Sequence, residues 1–168
     1  MNSLRRCLTL LCLVFVGACG FQLRGDISLP YNTIYFALPP TSVLAAKLKL
    51  NIRSGGGTRV VDSEKEADVV FRQVAESREK LILSVNSQGR VREYQLRLTY
   101  AFRLVDAAGQ DVAPVSEIVM VRDVSFSDSA VLAKEQEEQM LWDDMQLDLV
   151  QQVLRRLKAK PKAPQGDE

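Results

Sequence analysis

From Tyr94 to Val105 apolar and polar side chains alternate without a break, and a period of two sustained this long is the pattern of a β-strand with one buried face. Tyr94, Leu96, Leu98, Tyr100, Phe102 and Leu104 fall on the core side, while Gln95, Arg97, Thr99, Ala101, Arg103 and Val105 make a largely polar opposite side. Strands on either side of it in sequence are separated from it by turn residues. Asn86-Ser87-Gln88-Gly89 precedes it, after Asp68 to Glu76 and Lys80 to Val85, where Leu81, Leu83 and Val85 share one face. Asp106 to Gln110 follows it, then Pro114 and a further strand from Glu117 to Phe126. These long strands predict an antiparallel meander.

The apolar face needs a cover, and the carboxy-terminal third supplies one. After Asp128 a helix is expected to about Leu157, because Leu141, Met145, Leu149, Val153 and Leu157 recur at one-turn spacing with Trp142 and Leu154 beside them. Arg155, Arg156, Lys158 and Lys160 suit the negative end of that helix dipole. Upstream, Thr33 to Leu38 reads as a strand stopped by Pro39 and Pro40. Thr41 or Ser42 then caps a helix carrying Leu44, Leu48 and Ile52, which Gly55, Gly56 and Gly57 end. If Arg59 to Val61 is the next strand, this strand-helix-strand unit is parallel.

Composition narrows the chemistry. The 168 residues contain no histidine, and the three cysteines (Cys7, Cys12, Cys19) all lie in the first nineteen positions. Histidine triads, cysteine nucleophiles, His/Cys zinc sites and disulfides are thereby excluded from the rest of the chain. A hydrolase using Asp143 and Asp144 ranks last among the alternatives, since neighbouring helical residues point about 100° apart. The expectation is a non-enzymatic protein without metal or soluble cofactor.

The start reads MNSLRR, an apolar run from Cys7 to Val16, then Gly17-Ala18-Cys19. Two charges, a short hydrophobic run and small residues form a secretory signal, and the run is too short for a bilayer core of ~30 Å. The V-G-A-C sequence has the form of a lipobox, with the thiol of Cys19 carrying diacylglycerol and its new amino group an acyl chain such as palmitate. The expected division is a signal peptide at 1–18, one periplasmic domain at 19–160 with lipidated Cys19, and a disordered tail at 161–168. Removing 1–18 takes Arg5 and Arg6 from 22 basic residues and leaves all 21 acidic ones, so the mature chain carries about −1 and has no field for nucleic acid. Gly20 follows the lipidated residue where inner-membrane lipoproteins carry aspartate, which points to the outer membrane, periplasmic side.

Three segments resemble one family. CGFQLRG from Cys19 to Gly25, REYQLRLTYAF from Arg92 to Phe102 and LAKEQEEQM from Leu132 to Met140 are similar, in this order, to the LPS-assembly lipoprotein (LptE) family. The resemblance implies an α+β fold, a two-layer sandwich of two helices on a mostly antiparallel four- to five-stranded sheet, in agreement with the periodicities. It also implies a partner and a ligand: the outer-membrane barrel LptD, which such proteins help to fold and plug, and lipopolysaccharide, bound through its lipid A phosphates. A generic scaffold subunit of another envelope complex is the alternative.

Within that resemblance Lys134 matches a family position associated with lipopolysaccharide contact. The family's other basic position falls at Ser87, where Arg90 is the expected substitute. Arg90 and Arg92, at i and i+2, are expected on one strand face, able to fork onto phosphate oxygens. The opposing reading makes all three ordinary solvated charges, with Lys134 pairing with Glu138 one turn on.

Overall fold

A computed structural model describes residues 29–159. Strand β1 (Thr33–Ala37) turns Ile34 and Phe36 into the core, and helix α1 (Val43–Gly55) follows the prolines. The Ser42 hydroxyl caps α1 by accepting the Ala45 N–H at 3.2 Å. The chain leaves α1 through Gly56 at φ +72°, a left-handed conformation that a side chain would strain. Leu44, Leu48 and Ile52 are the buried stripe of this helix. Replacing Ser42 with Ala is expected to cost about 1 kcal/mol of stability, read as a lower denaturation midpoint at unchanged slope.

Strand β2 (Arg59–Val60) returns parallel to β1, and β3 (Val69–Val85) lies parallel on the other side of β1. Side chains bond the strand starts together here. Asp68 accepts the N–H groups of Asn32 and Thr33 at 3.0 and 2.9 Å, while the Thr33 hydroxyl accepts the Asp68 N–H at 2.7 Å. Strands β4 (Val91–Asp106) and β5 (Ser116–Ser125) complete the antiparallel meander, giving the sheet order β2-β1-β3-β4-β5. A single 3₁₀ turn, Asp128–Ala130, then leads into helix α2 (Val131–Lys158).

The expected core assembles on one face of the sheet. Leu96, Leu98, Tyr100, Phe102 and Leu104 of β4 pack with Ile118, Met120 and Val124 of β5 under Met145, Leu149, Val153 and Leu157 of α2. Phe71 of β3 is fully buried at the centre, 5.3 Å from the Phe36 ring and 4.8 Å from the Phe102 ring. Burial raises the Tyr100 hydroxyl pKa, with Glu76 adding to the effect, so the group stays protonated and meets Gln73 at 3.4 Å.

Two expectations change. The segments Asp68 to Glu76 and Lys80 to Val85 are one strand of 17 residues, because Ser77, Arg78 and Glu79 pair in register with Thr99, Leu98 and Arg97 instead of turning. The face holding Leu81, Leu83 and Val85 is not core: these side chains are 42%, 47% and 54% exposed. Behind the sheet a small cluster of Val61, Ala67, Val70 and Val105 covers the β1 end, while the outer half of the β3–β4 hairpin stays open there.

Candidate functional site

The hairpin tip is built by Asn86. Its side-chain oxygen accepts the N–H groups of Gln88 and Arg90 at 2.9 and 3.0 Å, its own N–H donates to the Arg90 carbonyl at 2.8 Å, and Gly89 takes φ +75°. Arg90 consequently belongs to the turn, one residue ahead of β4, and does not share a strand face with Arg92 as expected. The turn ends its alternation, so i, i+2 spacing no longer places the two side chains together.

Arg90 instead reaches sideways. Its guanidinium lies 3.5 Å from Asp128, in the 3₁₀ turn before α2, with both side chains about two-thirds exposed (66% and 63%). The Arg92 carbonyl accepts the Phe126 N–H at 2.7 Å, so the β4–β5 pairing runs past the end of β5. Hairpin tip and helix start therefore meet at one end of the domain. Exposed Arg92 lies in the same region.

Lys134, on the first turns of α2, donates to the Glu137 carboxylate at 2.7 Å and to the Ser125 hydroxyl at 2.8 Å. The expected pair with Glu138 does not form. Lys80 projects from the helix-facing side of β3 and takes Glu138 at 2.6 Å, while the Trp142 indole N–H approaches the same carboxylate at 3.4 Å. Lys80 also lies 4.3 Å from the Tyr94 ring centre, and Tyr94 meets Phe126 edge-on at 5.5 Å. A cleft of about 170 Å³ opens between these side chains and Lys134.

The arrangement suits an amphiphilic anion. Arg90, Arg92, Lys134 and Lys80 supply donors, and Tyr94, Phe126 and Val124 supply an apolar wall. The counter-ions Asp128 and Glu137 hold exposed or half-exposed pairs worth at most about 1 kcal/mol each, so a phosphate can displace them. Lys80, Tyr94 and Phe126 were not anticipated as site residues: Tyr94 reads as core from its alternation, and nothing local ties Lys80 to a helix 58 residues away. Asp143 and Asp144 are both exposed on α2, and no group of acidic residues among the described residues can hold a metal ion. Cys19, the signal peptide, the tail and the CGFQLRG segment lie outside the described residues.

The family model for lipopolysaccharide-assembly LptE proteins matches residues 31–157, from the approach to β1 to the last turn of α2. The chain belongs to the LptE family. The LPS-assembly lipoprotein LptE of Pectobacterium atrosepticum is 26% identical over 155 residues, covering 88% of this chain and 80% of the relative. That of Yersinia pestis (strain Pestoides F) is 27% identical over 158 residues, covering 90% and 75%. Among solved structures, lipoprotein B from Nitrosomonas europaea superposes with a TM-score of 0.72 at 38% identity, covering 83% of this chain and 91% of that one. A minor lipoprotein from Acinetobacter baumannii gives 0.64 at 25% identity, covering 80% and 98%. The α+β fold of two helices on a five-stranded, mostly antiparallel sheet is thus shared with LptE-like lipoproteins. Among the described residues no helix is long and apolar enough to cross a membrane.

Proposed function

We propose that this LptE-family protein is held at the periplasmic side of the outer membrane by acyl chains on Cys19, assembles with and plugs the LptD barrel, and binds lipopolysaccharide during its passage to the outer leaflet. Family membership across 31–157 carries the reading. The convergence of Arg90 and Lys134, with Arg92 nearby, at one end of the domain supports the phosphate contact. No catalytic step is required. A barrel wide enough for lipopolysaccharide leaks unless its lumen is filled, and a folded domain with a polar surface fills it without exposing apolar core. Several acyl chains make the attachment stable, at ~0.8 kcal/mol per buried methylene, and raise the concentration of the domain beside the barrel.

The test is purification of the full-length protein from outer membranes in mild detergent. LptD and lipopolysaccharide are expected to accompany it, and its intact mass should correspond to a chain beginning at Cys19 with three acyl chains. Cys19→Ala should lose the acyl mass and most of the outer-membrane fraction. Recovery of the wild type with some other envelope complex and without lipopolysaccharide would make it a scaffold subunit instead.

A further inference from the structure

Arg97 sits in the middle strand of the open sheet face, on the side away from both helices. Its Nε is shielded from water and has no hydrogen-bond partner among the described residues. Directly across on β3 is Glu79, yet no ion pair joins them; directly across on β5 is Val121, 44% exposed, with Val119 one pleat on at 54%. An arginine with an unmet donor amid exposed apolar side chains has the composition of an interface centre, not of solvated surface.

Charge decides what covers it. The same face carries Glu79, Glu117 and Asp123, so a phosphate dianion approaching Arg97 is repelled from three sides. A protein surface meets both demands, with a carbonyl or single carboxylate for the guanidinium and lysine or arginine around it for the acidic rim. We infer that this open face, centred on Arg97 and Val121, packs against a protein wall of that polarity, and, resting on the function proposed above, that the wall belongs to the barrel partner. Lipopolysaccharide then has the opposite side of the hairpin, where Lys80 and Tyr94 project toward α2.

The experiment places a photo-crosslinking amino acid at exposed Val121 in the full-length lipoprotein expressed with the barrel, and separately compares Arg97→Glu with Arg97→Lys. Irradiation is expected to join position 121 covalently to the barrel. Arg97→Glu should lower the co-purified barrel at least tenfold, with Arg97→Lys retaining more of it and both variants melting near the wild type. If the barrel co-purifies with the wild type but position 121 couples only to lipid, to a second copy of this chain or to nothing, the surface is wrongly assigned while the function stands. If no barrel accompanies the wild type, the proposed function itself fails. Should Arg97→Glu prove unstable, the crosslink at Val121, made with Arg97 intact, decides alone.

Discussion

Reversing the charges of Lys134 and Arg90 together, each to Glu, is expected to weaken lipopolysaccharide binding by roughly 10- to 100-fold, from a loss of about 1.5–3 kcal/mol for each charge-assisted hydrogen bond less the weak ion pairs given up. Neither side chain supports the core, since Arg90 is largely exposed and Lys134 bonds only to Ser125 and Glu137. The melting temperature and the yield of co-purified barrel should therefore stay close to those of the wild type. The counter-ions give a prediction of opposite sign. Glu137→Gln releases Lys134 from its 2.7 Å partner, so binding of lipopolysaccharide should tighten, and the gain should shrink in high salt. Titration of labelled lipopolysaccharide into the purified protein checks both. Unchanged affinity in the double reversal would return Lys134 and Arg90 to ordinary surface charge and leave barrel plugging as the supported role.

Replacing Phe71 with Ala should destabilise the domain by about 3–5 kcal/mol, because the ring is fully buried between Phe36 and Phe102 and its loss leaves a cavity that β-sheet backbone cannot close. For a domain of this size that corresponds to a fall of about 10–20 °C in melting temperature. Leu81→Ala, on the open face, removes a side chain that is 42% exposed and should change stability by less than about 0.5 kcal/mol. Thermal melts of a soluble form beginning after Cys19 compare the two. The wild-type transition is expected to be cooperative without the barrel, since both layers of the core come from this chain. A soluble form that remains molten until the barrel is added would show instead that folding and assembly are coupled.

What local pattern can specify was legible. The alternation from Tyr94 to Leu104 and the one-turn spacing from Leu141 to Leu157 each name a buried face. Ser42 and Gly56 mark the ends of α1, and Asn86 with Gly89 marks the hairpin turn. These signals act within a few residues, through backbone conformations and side-chain periods that the sequence carries directly. The motifs around Cys19, Arg92 and Lys134 likewise pointed to the family before any contact was known.

Partnership across the sheet was not legible, because it depends on which side chains arrive first in three dimensions. Lys134 has Glu137 and Glu138 at permitted helical spacings, and only the approach of Lys80 from β3 assigns Glu138 elsewhere. The apolar residues Leu81, Leu83 and Val85 read as core because hydrophobicity marks a face without saying whether a second layer reaches it. Both helices lie on the other side of the sheet, so this face stays open. Arg97 shows the same division: its place in the alternation put it on the polar side of β4, but only the packed sheet shielded its Nε and left that donor without a partner.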